Sequence, residues 1–360
     1  MDKIGFTRWP RENMLTYTLV ALTYMIMQIL VKAGGVSASL QGQLVPICSY
    51  IVMAISLNLT VGILGELSLG HAGFMSVGAF AGVIAGFCLQ NLILFEPLRL
   101  AASMAIGALF AGVAGFLIGI PVLRLKGDYI AIVTLAFGEI IKNLITCLYV
   151  GVDRGGLHVR FLGNAAGLNL QDGGTVVVNG PIGLAGIPKL SSFTGGFVLV
   201  LVTLFIVLNL INSRSGRAIM ALRDNRIAAE SIGIPVTKYK LMAFIMSAAL
   251  AGAAGTLYAM NFSTIVATKF NFSTSILVLV FVVLGGLGNI WGSIIAAALL
   301  TILPEMLRQF SEYRMLSYAV LLILVMLATN NITLRTSFFR LKNKLWSRRR
   351  RRGRAGGSGA

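Results

Sequence analysis

A chain of 360 residues that is 57% hydrophobic and 12% charged, with a mean hydropathy of +0.86, carries far less charge than a soluble domain, where about a quarter of residues are charged. Apolar runs long enough to cross a roughly 30 Å hydrocarbon layer recur along its length, so it reads as an all-α, polytopic membrane protein. Thirty Lys and Arg against twelve Asp and Glu leave a net charge of +18. The cations cluster between and beyond the apolar runs, where the positive-inside bias and anionic lipid account for them without nucleic acid.

In chain order, Lys3, Arg8 and Arg11 precede a first run at 14–33, which is too long for a signal h-region and lacks a small-residue cleavage site. Further spans are expected at 43–63, 72–95, 98–120, 129–150, 195–213 and 241–262. An apolar block at 275–307 is long for one crossing and short for two. Its centre, "GGLGNIWG", reads as a bend between two short helices, and a last span at 315–332 brings the count to about ten. That count places the N-terminus, the turn with Arg124 and Lys126, the 213–240 loop and the basic tail together on the cytoplasmic side. The expected layout is a cytoplasmic segment 1–13, a membrane domain 14–333 with an external loop 151–194 and a cytoplasmic loop 213–240, and a tail 334–360. In that tail "SRRRRRGR" lies on lipid headgroups, and the Gly/Ser-rich end reads as disordered. Cys48, Cys88 and Cys147 have no close-spaced partner and read as small core residues rather than a disulfide framework or zinc site.

The 213–240 loop is basic and helical in pattern. Asp224 reads as an N-cap for "NRIAAESI", Gly233 as a left-handed C′ residue, and Pro235 as the stop. A helix of about two turns is unstable alone in water. It must be held against a partner, its own protein or the lipid surface. The external loop is glycine-rich, with a β-prone patch "TVVV" at 175–178.

Two stretches interrupt the apolar pattern. "GELSLGHAGF" supplies Gly65, Gly70 and Gly73 to weaken a helix, and Glu66, Ser68 and His71 as polar groups. The second holds Gly285, Gly286, Gly288 and Asn289. Broken backbone at membrane depth is tolerated only where it is buried in protein or lines a watery cavity. Both stretches are therefore candidates for the border of a translocation path; the competing reading is helix packing and end-capping near the cytoplasmic interface. Glu139 and Lys142, spaced i,i+3, read as a self-neutralising pair, with a gating or subunit contact as the functional alternative. Asp128 reads as a helix cap, and His158 as a lone exposed polar residue. The sequence holds no phosphate-binding G-x-x-x-x-G-K-[ST] loop, no zinc-binding His/Glu pair and no Ser-centred nucleophile elbow. Active transport through this chain would borrow its energy from an ATPase or an ion gradient.

Four collinear blocks carry a family resemblance: "LNLTVGILGELSLGHAGFMSVGAFAG" (57–82), "GDYIAIVTLAFGEI" (127–140), "AIMALRDNRIAAESIGIPVTKYKLMAFIMSAALAGAAGTLYA" (218–259) and "VFVVLGGLGNIWGSIIAAALL" (280–300). Together they resemble the LivM-type permeases of bacterial branched-chain amino acid ABC importers. The resemblance implies the ABC importer permease fold in the bacterial inner membrane, with both termini cytoplasmic. It also implies a second, LivH-like permease subunit, two cytoplasmic ATPase subunits that bind the ATP, an external solute-binding protein and an amino-acid substrate, with no cofactor in this chain. By the same resemblance, the short loop helix is the coupling helix, its positions here being Arg223, Asp224, Asn225, Ala228, Ala229, Glu230 and Gly233. The external loop departs from the family pattern: Val178-Asn179 stands where a Thr-Gly pair is usual, and 154–174 is more irregular. Similar permeases carry urea or short amides. From another class, an ion-coupled transporter would use Glu66, His71 or Glu139 as proton sites.

Overall fold

The computed structural model describes residues 9–307 except 36, 91, 126, 154–155, 164 and 169–173, together with 316, 319, 320 and 323. The segment 1–8, most of the expected last span and the whole basic tail fall outside the described residues. The chain divides into a unit Met1–Ile302 and a unit Leu303–Ala360; of the second, the main described part is the final turn of its last described helix.

The helices are α1 (Trp9–Lys32), α2 (Ala38–Asn58), α3 (His71–Cys88), α4 (Glu96–Val122), α5 (Asp128–Thr146), α6 (Phe193–Asn212), α7 (Arg214–Asp224), α8 (Arg226–Ser231), α9 (Val236–Ala259), α10 (Phe272–Gly285) and α11 (Ile290–Met306). A π-helical turn, Leu59–Leu64, continues α2. Among the described residues, seven helical stretches are long and apolar enough to cross a bilayer. The chain is a multi-pass helical membrane protein.

Small residues bring the central helices together. A Cβ on Gly78 of α3 would lie 2.2 Å from the Gly252 Cα of α9, and one on Gly252 would lie 2.3 Å from the Ala111 Cβ of α4. Thr256 closes the contact, its hydroxyl donating to the Gly78 carbonyl at 2.8 Å. Lipid offers no hydrophobic drive for helix association, so this close backbone approach and its interhelical hydrogen bond hold α3, α4 and α9 together. Of the spanning helices, α2 is the most buried and α5 the least.

Five strands form an antiparallel sheet in the order β2-β1-β3-β4-β5: β1 (Leu148–Asp153), β2 (Gly156–Phe161), β3 (Thr175–Asn179), β4 (Leu184–Ala185) and β5 (Thr264–Ile265). β5 comes from the α9–α10 connection and pairs with β4 through Leu184↔Ile265, so both connections collect at one end of the bundle. The α2–α3 break, α7, α8 and the α10–α11 bend lie at the other. These are called the sheet end and the junction end below.

Several boundaries differ from the expectation. The fifth span stops at Thr146, and "LYVGVD" continues as strand, because its aromatic and β-branched residues suit a pleated surface. α9 starts at Val236, directly after Pro235, five residues before the expected apolar start. Of the cysteines only Cys48 is in the core; Cys88 and Cys147 stand at helix C-termini and are exposed. His158 is not alone, its Nε2 lying 3.1 Å from Asp153 Oδ2 across the β1–β2 hairpin.

Candidate functional site: a junction of two broken helices

The first break is built by α2 unwinding. Within Leu59–Leu64 the helix widens, and the N–H groups of Gly65 and Glu66 both reach back to the Thr60 carbonyl, the second at 3.0 Å. Gly65 sits at φ +81, and a Cβ there would lie 2.7 Å from Arg223 Cγ, so conformation and space both ask for glycine. The second break follows α10, where Gly286 and Gly288 take φ +93 and +80. Asn289 then restarts the helix, its Oδ1 accepting from Gly292 N at 3.3 Å.

Asn58 pins the two breaks together. Fully buried, it accepts from Gly288 N at 2.8 Å through Oδ1 and donates to Ser293 Oγ at 2.9 Å through Nδ2. The approach leaves no room at Gly62, where a Cβ would sit 1.9 Å from Asn58 Oδ1 and 2.2 Å from Gly288 N. Two further groups tie this pair to the 213–240 segment. Arg223, in the last turn of α7, donates from Nη1 to the Gly62 carbonyl at 3.0 Å and grips Asp224 Oδ1 through Nε and Nη2. Lys240, in the second turn of α9, forms an ion pair with Glu66, the two side chains 7% and 17% exposed.

The other polar residues of "GELSLGHAGF" are mostly spent on packing. His71 opens α3 and is buried, with Nε2 2.7 Å from Ser56 Oγ, while Ser247 of α9 donates to the Ser56 carbonyl at 2.5 Å. Leu69 N donates to Thr134 Oγ1 of α5, and Ala72 N to Ser275 Oγ of α10. A Cβ on Gly70 would meet Thr134 O at 2.0 Å, and one on Gly73 would meet Gly138 Cα at 2.9 Å. Ser68 differs: its buried hydroxyl has no hydrogen-bond partner among the described residues. Glu139 and Lys142 form their i,i+3 ion pair on the sparsely covered α5.

The short helix α8 sits between the two tethers. Its N-cap is Asn225, not Asp224: Asn225 Oδ1 accepts from Ala228 N at 3.0 Å, whereas Asp224 is the last residue of α7 and is held by Arg223. A separate α7 is why the cap moves one residue along, since Asn225 alone has the extended backbone a cap needs (φ −155, ψ 104). Gly233 at φ +85 ends α8, with Ile234 N reaching the Ala229 carbonyl at 3.1 Å. Arg226 and Glu230 pair along the helix at 3.0 Å. Ala229 turns inward and is buried. Ile227 and Ile232, 80% and 76% exposed, share an outward face with Ala228 and Ser231.

Sequence reasoning had passed over Asn58, Gly62, Lys240, Ile227 and Ile232. An asparagine inside an apolar run was a readable signal for the first. Nothing local pairs Lys240 with a glutamate 174 positions earlier.

A bundle of crossing helices, two of them broken and pinned together beside a short capped helix at one end, defines a polytopic membrane protein. The chain belongs to the family described as branched-chain amino acid transport system, permease component, which matches residues 39–329. It is 37% identical over 286 residues to the high-affinity branched-chain amino acid transport system permease protein LivM of Escherichia coli, and equally to that of Salmonella typhimurium. The alignment covers 77% of this chain and 66% of either relative, so the chain spans just under two thirds of their length. A probable LivM permease of Methanocaldococcus jannaschii is 24% identical over 274 residues, covering 67% of this chain and 73% of the relative. No solved structure matches the chain. The family is one of transport permeases, not of enzymes.

Proposed function

We propose that this chain is the membrane-spanning permease subunit of an ABC importer that moves branched-chain or other small apolar amino acids into the cytoplasm. It works in the cell inner membrane beside a second permease subunit, with two ATPases on the cytoplasmic face and a solute-binding protein outside. The junction end faces the cytoplasm and the sheet end faces the binding protein. The branched-chain amino acid transport for which both LivM relatives are named supports the substrate class.

One observation carries the reading. α8 presents Ile227, Ala228 and Ile232 outward while its two flanks both hold the first helix break, through Arg223 to Gly62 and through Lys240 to Glu66. A partner seated on α8 would therefore push on broken backbone, the part of a membrane helix that changes shape at least cost. Asn58 carries the displacement from the first break to the second. ATP-driven approach of the two ATPases moves α8 inward, and the breaks at 65–70 and 286–289 yield to open the path in alternation.

The reading is tested with the assembled importer in proteoliposomes. ATP-dependent uptake of leucine, isoleucine or valine is expected, with Glu230→Arg lowering it at least about tenfold while the subunits still insert in the membrane. Uphill accumulation by this chain alone, driven by a proton gradient without nucleotide, contradicts it.

A further inference from the structure

At the sheet end, Arg99 stands in the second turn of α4 and is 8% exposed. Among the described residues it makes no ion pair, and its Nε has no hydrogen-bond partner. The nearest carboxylate in sequence, Glu96, is exposed and does not pair with it. A buried lysine relieves such a situation by shedding its proton; an arginine does not, because its guanidinium stays charged at any physiological pH. A buried charge without a counter-charge is among the costliest features a protein carries. Arg99 therefore calls for an anion that the described residues do not supply.

Local backbone points the same way. The N-cap of α4, Phe95, offers no side-chain acceptor to the first turn, and a proline stands within that turn, so the positive end of a 27-residue helix is left uncapped. Side chains on a helix lean toward its N-terminus, which carries the guanidinium up over that turn. One turn below on the same face, the Ser103 hydroxyl is wholly buried and also without a hydrogen-bond partner among the described residues. Directly before α4, Leu92, Leu94 and Phe95 are 77%, 85% and 67% exposed, a composition at home in the boundary between headgroups and acyl chains.

We propose that Arg99 and the open first turn of α4 form a site for one oxyanion, a phosphate or carboxylate held by charge-assisted hydrogen bonds. The apolar stretch before α4 assigns it to the phosphate of a phospholipid whose acyl chains lie against Leu92, Leu94 and Phe95; a free carboxylate solute is the other source of the same chemistry.

The test uses the full chain, purified in detergent and stripped of lipid. Native mass spectrometry with added phosphatidylglycerol is expected to show one retained lipid per chain, bound at least about tenfold more weakly by Arg99→Gln and to an intermediate degree by Arg99→Lys. Thermal unfolding with acetate or L-leucine separates the sources. If these stabilise the wild type but not Arg99→Gln, and the lipid does not discriminate, the site takes a carboxylate. Should Arg99→Gln fail to fold, the wild type still decides: phosphatidylglycerol must be retained over diacylglycerol, or a carboxylate must raise its unfolding temperature. Equal retention of the two lipids with no effect of acetate or L-leucine overturns the proposal, as does an Arg99→Met chain more stable than wild type in every lipid.

Discussion

Arg223 donates from Nη1 to the carbonyl oxygen of Gly62, 161 positions earlier in the chain and 3.0 Å away. That oxygen lies near the C-terminal end of the π-helical turn, where the last carbonyls have no N–H ahead of them in the helix and need outside donors. One guanidinium thus satisfies broken backbone and, through Asp224, fixes the last turn of α7 just before α8 begins. The strain of the break and the placement of the short helix are held by the same group.

The Glu66–Lys240 pair is the second tether. Removing one partner leaves a largely buried charge alone, so Lys240→Met is expected to cost about 3 kcal/mol, with Glu66→Gln/Lys240→Met together costing less. Thermal unfolding of the purified chain in one detergent measures it. A single variant as stable as wild type contradicts a buried pair.

Asn58 spans the two breaks with both ends of its amide. Asn58→Leu leaves Gly288 N and Ser293 Oγ without it, and a loss of about 1–2 kcal/mol is expected. Cysteine accessibility at Gly288 is expected to rise as well, because the bend loses its anchor. Unchanged labelling in the variant would mean that Asn58 does not hold the bend.

Two glycines separate space from conformation. Gly78→Val puts side-chain atoms where Gly252 backbone already lies, and loss of folded protein in the membrane is expected. Gly233 has nothing within 4 Å of a Cβ but sits at φ +85, so Gly233→Ala is expected to cost only about 1 kcal/mol. Expression level and unfolding temperature of both variants check this, and equal outcomes contradict it.

The outward face of α8 is expected to serve association rather than folding. Ile227→Asp leaves the unfolding temperature within about 1 °C, since surface changes there touch nothing buried. Copurification of an ATPase partner with the chain is expected to fall at least about tenfold. Retained copurification argues against α8 as the docking element.

Much of this architecture was legible in the sequence because it is local. The apolar spans, the glycine bend near 286–289 and the Gly233 stop each follow from a few adjacent residues. The cap at Asn225 was missed by one position, since Asp224 is as good a capping type and only the end of α7 decides between them. The Leu148–Asp153 strand was hidden by its apolar character, which reads equally well as the end of a span. The junction itself was out of reach. Asn58 meets Gly288 across 230 positions and Lys240 meets Glu66 across 174, and no periodicity records either pairing. The two breaks, legible one at a time, gained their shared meaning only from folding.

The central claim is that motion of α8 reaches the helix breaks through Arg223. The assembled importer carrying Arg223→Gln, reconstituted in proteoliposomes, tests this directly when ATP hydrolysis and amino-acid uptake are measured on the same sample. The account predicts that hydrolysis persists while uptake per ATP falls at least about tenfold. Uptake per ATP equal to wild type, in a variant that assembles normally, contradicts it.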